Sequence, residues 1–277
     1  MKVFFDASFK GVTNMAIDMA LSDWVATCEK ETLVLRFYRW NPPCLSLGRN
    51  QDVRAVNTDY LNKMRFDLVR RPTGGMAVLH WKELTYSFIA KSSDKRLPRN
   101  VVASYMKIST ALKRGLTNMG YPVEINEKKA TKISDVCFQV PSVNELVISG
   151  KKLVGSAQTR KKGVILQHGS ILIKAMSQEY LSCFRNLSKN TRQLESIKNS
   201  MIGLEDYSKK SVDVQKLAEN LAIAFSEVFE EALENTQYSK LGSEFHEMLN
   251  RYERMFNSYE WNYKREALDS FNTNRKS

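Results

Sequence analysis

Two residues of the chain combine reactive chemistry with a local setting that suits it. Cys137 lies in an irregular stretch shortly before Pro141, and loops on a rigid scaffold commonly carry function. Lys152 follows Lys151 at the start of an alternating run. Because neighbouring residues of a strand face opposite sides, one of the two lysines must point inward, where it needs an anionic partner. A cation of this kind lowers the pKa of a thiol, so the pair is compatible with a cysteine nucleophile.

Most free cysteines, however, are small buried hydrophobic residues, and local context alone leaves both interpretations of Cys137 open. The other three cysteines, at positions 28, 44 and 183, lie in helical or apolar surroundings and are predicted to be structural. The paired glycines Gly74 and Gly75 let backbone approach a ligand, but such pairs also mark ordinary turns. His80 and His168 each stand alone in sequence, as structural histidines often do.

Three short runs after Cys137 predict an antiparallel meander. They cover Glu145–Ser149, Lys152–Gln158 and Val164–Ile173, and glycine-bearing turns at 149–151 and 159–163 separate them. Three small residues, Gly155, Ser156 and Ala157, fall in the middle run. Small side chains in a strand often mark the close approach of a ligand or another backbone, so a pocket is predicted beside this strand.

The rest of the chain supplies mixed strands and helices without regular strand–helix alternation, which predicts an α+β fold with a largely antiparallel sheet. The predicted strands cover 2–6, 33–40, 66–70, 76–80 and 84–90, and the predicted helices cover 14–28 (capped by Thr13), 57–64, 101–119, 212–234 and 245–259. Strand signals vanish after Ala175. We therefore expect a catalytic domain at 1–175 and a helical extension packed on it at 176–277.

Composition narrows the class of protein. The 277 residues carry a net charge of +12, which favours anionic partners, and a nucleic-acid-binding protein is one alternative that this charge alone supports. The four cysteines form no paired spacing, and we expect a reducing cytoplasm. The sequence has no leader-like start, no spanning apolar stretch, no phosphate-binding GxxxxGK[ST] loop and no GxSxG elbow. The three scattered histidines predict no metal site.

Four collinear segments together resemble the superfamily of octanoyltransferases and lipoate–protein ligase A. They are NMAIDMAL (14–21), RFYRWNPPCLSLG (36–48), RRPTGGMAVLHWKELTYS (70–87) and DVCFQVPSVNELVISGKKLVGSAQTRKKGVILQHGSILI (135–173). The segments lie in the same order as in the superfamily, and the match that they mark out spans most of residues 1–175. The resemblance implies the fold of biotin protein ligases and class II synthetase cores.

Within that superfamily, the stretch around Cys137 resembles the transferases that move an octanoyl group from acyl carrier protein to the glycine cleavage H protein. The resemblance gives Cys137 the role of acylated nucleophile and Lys152 that of the active-site lysine. We expect a monomer that uses no cofactor and binds neither nucleic acid nor membrane. The residues that match the acyl-pocket motif are Arg71, Gly74, Gly75, Ala77 and His80, and those that match its second wall are Ser156, Ala157 and His168. Backbone N–H groups of Gly155–Ala157 or near Cys137 are candidates to hold the oxyanion.

Two departures from the family pattern concern the pocket. Met76 replaces a common third glycine, and Asn144 stands where the transferases often carry an aromatic residue. Two enzymatic alternatives share the motifs: an ATP-dependent lipoate or octanoate ligase, and an amidotransferase that moves lipoyl groups between proteins. The ligase would need Mg-ATP and tolerate loss of Cys137, whereas the amidotransferase would differ only in its donor.

Overall fold

The strands and helices of the chain were located in a computed structural model that describes residues 1–126, 144–185 and 191–265. The strands are β1 (Lys2–Phe9), β2 (Val34–Trp40), β3 (Cys44–Leu47), β4 (Asp67–Arg70), β5 (Val78–His80), β6 (Glu83–Lys91), β7 (Glu124–Ile125), β8 (Leu146–Ile148), β9 (Lys151–Lys161), β10 (Val164–Leu172) and β11 (Glu234–Asn235). The helices are α1 (Gly11–Thr27), α2 (Thr58–Met64), α3 (Val101–Asn118), α4 (Ser177–Ser182), α5 (Thr191–Ser200), α6 (Leu204–Ser208), α7 (Val214–Phe229) and α8 (Ser243–Phe256), with a 3₁₀ turn at Tyr238–Leu241 and a π-helical turn at Glu260–Lys264.

Within the described ranges, the strands form one large and one small sheet. The large sheet has the order β11-β1-β2-β6-β10-β9-β8-β7, and the small sheet has the order β4-β3-β5. The pairs from β2 through β6, β10, β9 and β8 to β7 are antiparallel, whereas β1 pairs in parallel with both of its neighbours. The predicted α+β fold with a largely antiparallel sheet is confirmed.

Helices cover both faces of the large sheet, and strand β6 shows how the sequence divides between them. Tyr86 and Phe88 point to the face covered by α3 and α7, where they belong to one apolar cluster. Burying a side chain such as Phe88 stabilises the fold by roughly 1.5–3 kcal/mol. The alternate residues point to the face covered by α1, where Ser87 Oγ donates to Asp18 Oδ1 at 2.9 Å. This second face therefore mixes apolar packing with buried polar groups.

The predicted meander is present as β8, β9 and β10. The turn at Ser149–Gly150 has positive φ at both residues (50° and 73°), as a tight hairpin requires. The second turn differs from the prediction. Strand β9 continues to Lys161, and the reversal is confined to Lys162 and Gly163, because these are the residues with positive φ (50° and 75°). The long β9–β10 ladder outweighs the turn propensity of the basic stretch before it.

Two other expectations need correction. The first helix begins at Gly11 and its N-cap is Lys10, which makes no side-chain capping bond; Thr13 lies inside the helix and donates to Glu253 Oε1 at 3.1 Å instead. Strand structure does not vanish after Ala175, because β11 adds to the sheet beside β1. A two-residue strand of polar composition leaves no periodic signal in the sequence. The other predicted helices and strands are present, with shifts of up to five residues at their ends. Strands β3 and β7 and helices α4, α5 and α6 were not predicted from the sequence.

The segment after α8 reaches back to the small sheet. Arg70, which is fully buried, donates to the carbonyl oxygens of Trp261 (3.2 Å) and Asn262 (2.8 Å). In return, Trp261 Nε1 donates to Arg70 O at 2.7 Å, and Asn262 Oδ1 accepts from Arg70 N at 2.7 Å. These bonds fix the end of β4, which leads directly into the glycine-containing loop. Among the described helices, none combines the length and apolar character needed to cross a bilayer.

Candidate functional site

A cavity that opens to solvent lies between strands β9 and β10 of the large sheet and the loop that joins β4 to β5. Nine residues predicted from sequence line it: Arg71, Gly74, Gly75, His80, Lys152, Gly155, Ser156, Ala157 and His168. Ala77 does not; it is fully buried behind the wall in an apolar cluster, where its carbonyl oxygen accepts from the Tyr180 hydroxyl. Cys137 lies outside the described residues. The apolar part of the lining comes from Met15, Trp40, Met76, Val78 and Leu172.

A buried ion pair between Lys152 and Glu145 forms part of the wall of this cavity. The Nζ atom of Lys152 lies 2.6 Å from Glu145 Oε1, and the two residues are 5% and 7% exposed. Lys152 is therefore the inward lysine, while Lys151 is half-exposed. At this depth a cation without an acceptor is costly, so Glu145 stabilises both the charge and the position of the amine. The ammonium group of Lys152 and its carboxylate partner therefore lie at fixed positions in the wall of the cavity.

Glycine at position 155 leaves the space that the lysine side chain occupies. A Cβ atom at Gly155 would lie 2.8 Å from Lys152 Cε and 3.1 Å from Lys152 Nζ. The small residues of β9 therefore leave room for the Lys152 side chain, in addition to any room that they leave for a ligand. This explains in packing terms why the strand carries Gly155 at this point.

Substituting Gly155→Ala is expected to displace the ammonium group of Lys152. The far end of a lysine is flexible, so we expect the free energy of unfolding to fall by no more than about 1 kcal/mol. Misplacement of an active-site group by about 1 Å can cost about a hundredfold in rate, and we expect a loss of about ten- to a hundredfold in kcat/KM. Urea unfolding measures the change in the free energy of unfolding, and steady-state kinetics measure the change in kcat/KM. Gly74→Ala is the stability control, because its Cβ would meet no atom within 4 Å; an undiminished rate in Gly155→Ala would contradict the interpretation.

Arg71 holds the loop that forms the opposite wall. Its Nη2 atom donates to the carbonyl oxygens of Gly74 and Met76, both at 2.7 Å. The loop also packs against Gly48, where a Cβ atom would lie 1.7 Å from Gly75 O, and Gly75 itself has a φ of +89°. Both glycines are required by this backbone arrangement. The backbone of this wall is therefore held in one conformation by hydrogen bonds and close packing.

His80 lies at the centre of a buried polar cluster beside the cavity. Its Nδ1 atom is 2.7 Å from Glu83 Oε1, its Nε2 atom is 2.8 Å from Ser46 Oγ, and its ring stacks on Trp40 with centroids 3.9 Å apart. Trp40 Nε1 donates to Thr85 Oγ1 at 2.7 Å, and the Thr85 hydroxyl donates to Glu83 at 2.5 Å. The imidazole and indole rings are therefore fixed in orientation where they meet the cavity.

His168 has a parallel arrangement on the neighbouring strand. Its Nε2 atom is 2.7 Å from Thr73 Oγ1, and its Nδ1 atom is 3.3 Å from Asp18 Oδ2. Burial lowers the pKa of His168, although Asp18 partly offsets this. Burial acts in the opposite sense on Asp18, but its bonds with His168 and Arg36 prevail and the pKa of its carboxyl is lowered. The result is a neutral ring next to an ionised carboxylate.

Sequence reasoning missed the carboxylates and hydroxyls of this site: Asp18, Ser46, Thr73, Glu83 and Glu145. Glu83 offers a signal in retrospect, because it is a charged residue at the start of a strand in which the following seven residues are uncharged. Asp18 offers another, since it lies in a helix whose flanking residues are apolar. An acid in such a place needs a buried partner, but the sequence does not say which one.

None of the cysteines that the structure describes resembles an activated nucleophile. Burial raises the pKa of the Cys183 thiol to about 12, and burial also raises those of Cys28 and Cys44. Among residues 1–126, 144–185 and 191–265, no group of three or more His, Cys, Asp and Glu side chains is placed to hold a metal ion. The chemistry that the described site offers is a positioned ammonium, oriented imidazoles and an apolar cavity.

Comparison with known sequences identifies relatives along most of the chain. Residues 10–226 match the family described as lipoyl protein ligase A/B catalytic domain. Octanoyltransferase LipM of Carboxydothermus hydrogenoformans is 38% identical over 261 residues, which span 93% of this chain and 96% of the relative. Octanoyltransferase LipM of Bacillus subtilis is 38% identical over 265 residues, 91% of this chain and 94% of the relative.

Solved structures share the fold at much lower identity. A bipartite lipoate protein ligase from Thermoplasma acidophilum superposes with a TM-score of 0.78 at 19% identity, covering 96% of this chain and 97% of that chain. A lipoate-protein ligase A bound with ATP gives a TM-score of 0.78 at 20% identity, covering 94% and 97%. At such identities the likeness establishes the architecture alone.

Proposed function

The chain belongs to the family of lipoyl protein ligase A/B catalytic domains, and from this premise we propose that it is an octanoyltransferase that acts through an acylated cysteine. In this proposal the enzyme moves an octanoyl group from octanoyl-acyl carrier protein to a lysine of a lipoyl-domain protein such as the glycine cleavage H protein. The observation that carries the proposal is the buried Lys152–Glu145 pair in an otherwise largely apolar cavity. The names of the relatives at 38% identity support the same activity.

The proposed reaction has two acyl-transfer steps. The Cys137 thiolate attacks the thioester carbonyl carbon of the donor, a new carbon–sulfur bond forms, and the donor leaves as a thiol after taking up a proton. The target lysine amine then attacks the enzyme thioester and forms an amide, while the Cys137 thiolate is released and the amine loses a proton. Lys152 stabilises the thiolate in the first step and assists the proton transfer in the second. Conversion of a thioester to an amide is downhill, so the reaction needs no ATP.

The apolar cavity supports the choice of an acyl chain as substrate. Burying one methylene group is worth about 0.8 kcal/mol, and the seven carbons beyond the carbonyl would gain several kcal/mol before the cost of ordering the chain. Trp40, fixed by its hydrogen bond to Thr85 and by stacking on His80, offers a rigid apolar surface. The apolar part of the lining suits a saturated chain.

The chain connectivity supports the assignment of Cys137. Asn126 N donates to Glu145 O and Asn144 N donates to Asn126 O, both at 2.8 Å, so the residues on either side of positions 127–143 are joined. Glu145 is also the partner of Lys152. Seven residues of extended chain span at most about 25 Å, so the chain between Cys137 and Asn144 is long enough to permit the proposed contact with the cavity. The positive net charge of +12 fits an acidic donor protein, whose encounter it would accelerate at low salt.

Intact mass spectrometry distinguishes this activity from the ATP-dependent one. The protein is mixed with octanoyl-acyl carrier protein without ATP, and in parallel with octanoic acid and Mg-ATP. We expect a gain of one octanoyl group in the first mixture, removable by hydroxylamine as a thioester is, and transfer of that group on addition of an H protein. A gain or transfer only in the second mixture would refute the proposal in favour of a ligase. Octanoylated H protein as the better donor would instead indicate an amidotransferase.

A further inference from the structure

Arg71 is the point at which two buried hydrogen-bond chains meet. It is 6% exposed, and besides the carbonyl oxygens of the loop it contacts two hydroxyl groups. Nη1 donates to Ser46 Oγ and Nε donates to Thr73 Oγ1, each at 3.2 Å. A guanidinium presents its donors in a fixed plane, so contacts on different edges determine its orientation as well as its position.

The two hydroxyls continue into chains of the same chemical order. From Ser46 the chain runs to His80 Nε2 (2.8 Å) and from His80 Nδ1 to Glu83 Oε1 (2.7 Å). From Thr73 it runs to His168 Nε2 (2.7 Å) and from His168 Nδ1 to Asp18 Oδ2 (3.3 Å). Each chain therefore consists of a carboxylate, an imidazole and a hydroxyl. All six residues are buried.

Donor and acceptor roles along each chain follow from its two ends. Arg71 can only donate, so each hydroxyl oxygen accepts from the guanidinium and keeps its own proton for a ring nitrogen. The carboxylate at the other end can only accept, so it favours the proton on Nδ1. The tautomer that satisfies both ends carries its proton on Nδ1 and leaves Nε2 to accept from the hydroxyl. The two carboxylates thereby set the direction of every bond that leads to Arg71.

We propose that Glu83, and in parallel Asp18, are positioning residues for acyl binding that act through a histidine and a hydroxyl on Arg71, which holds the loop at Gly74–Met76. This inference rests on the proposed function, because that function assigns the loop to the acyl chain. Neither carboxylate lines the cavity, whereas Arg71, the loop glycines and both histidines do. Their effect on a substrate is therefore indirect, and the route that we propose for it passes through the orientation of Arg71.

Glu83 is the better residue for a test, because Asp18 has additional partners. Asp18 also accepts from Arg36 Nη1 at 2.8 Å and from the Tyr38 hydroxyl at 2.9 Å, so its removal disturbs a wider network. Glu83 Oε1 receives only the bonds from His80 and Thr85 among those described for it. Glutamine retains an acceptor oxygen of the same reach, whereas leucine keeps the approximate volume and removes the acceptor.

The experiment compares Glu83→Leu, Glu83→Gln and wild type by kinetics and by hydrogen exchange. For Glu83→Leu we expect KM for octanoyl-acyl carrier protein to rise about tenfold with kcat within about threefold, because the wall that binds the chain loosens while Lys152 is unchanged. Amide exchange in a peptide covering residues 72–79 should accelerate about tenfold. Glu83→Gln should restore both values to within about threefold of wild type. Leu221→Ala, in the apolar cluster on the opposite face of the sheet, controls for a general loss of stability.

The outcomes separate this inference from the proposed function. Unchanged KM in Glu83→Leu would overturn it, even if exchange increased, since Glu83 would then be a structural residue only. Equal effects in Glu83→Gln and Glu83→Leu, or in Leu221→Ala, would overturn it as well. If the wild-type protein transfers no octanoyl group, the proposed function fails, and so does the role of Glu83 in acyl binding. In that case loop exchange in the Glu83 variants still shows whether the carboxylate controls the Arg71 loop.

Discussion

Replacement of Cys137 by alanine is expected to abolish octanoyl transfer and the octanoyl adduct of the enzyme. Removing the nucleophile from a covalent mechanism typically lowers kcat by several orders of magnitude, and we expect a loss of at least about 10⁴-fold. Lys152, Glu145 and the apolar cavity would remain, so octanoyl-acyl carrier protein should still bind. The measurements are intact mass after mixing with the donor and the initial rate of H-protein octanoylation.

Cys28→Ala is the matched control, because Cys28 is half-buried and its thiol pKa is raised by burial. It should acylate and turn over within about twofold of wild type. Retention of the octanoyl adduct in Cys137→Ala would show that another residue is the nucleophile. The three described cysteines are poor candidates, because the pKa of each thiol is raised by burial. Full activity of Cys137→Ala with Mg-ATP and free octanoate would instead identify a ligase. The two outcomes are distinct because only the ligase depends on ATP.

Replacement of Lys152 by methionine is expected to damage both activity and stability. The substitution removes the cation that Glu145 contacts at 2.6 Å, and breaking one side of a buried ion pair costs about 3–5 kcal/mol. Activity should fall by about 10²–10³-fold, since both proposed steps use the ammonium group. Urea unfolding followed by fluorescence reports the stability, and kcat/KM for H-protein octanoylation reports the activity.

The double variant Lys152→Met with Glu145→Gln separates the two effects. Its side chains are uncharged, so the desolvation cost of a lone carboxylate disappears and stability should return to within about 2 kcal/mol of wild type. Activity should remain at the level of Lys152→Met. Recovery of activity together with stability would show that the lysine has only a structural role. If the double variant stayed unstable, the two side chains would stabilise the fold by packing or hydrogen bonds as well as by the pairing of their charges.

The sequence predicted the strands that build the site better than it predicted the polar network within it. The meander from β8 to β10 follows from period-two alternation and from glycines that turns require, which are local properties. The inward direction expected for one of two adjacent lysines follows from the geometry of a strand, and Lys152 is the buried one. These inferences use contacts between residues close in sequence. The roles assigned to Cys137, Lys152 and the pocket residues stay predictions that the experiments above address.

The polar network depends on long-range register that no local pattern encodes. His168 contacts Thr73 and Asp18 across sequence separations of 95 and 150 residues. Those contacts require strand β10 to lie between β6 and β9 at one particular register, in which His168 is opposite Ser87 and Ala157. A shift by one residue would turn His168 to the other face of the sheet. The short β11 was missed for a related reason, because pairing with β1 rather than its own sequence makes it a strand.

The hydrogen bonds between Arg70 and the Trp261–Asn262 segment also imply an order of events during synthesis. The ribosome makes every described residue that lines the cavity before it makes this segment. Until Trp261 and Asn262 emerge, the backbone and side chain of Arg70 lack partners that they have in the finished fold. Arg70 directly precedes Arg71, so the wall of the cavity is completed late. We therefore expect this wall of the cavity to become rigid only after Trp261 and Asn262 have been made, later than the β11 strand at the edge of the large sheet.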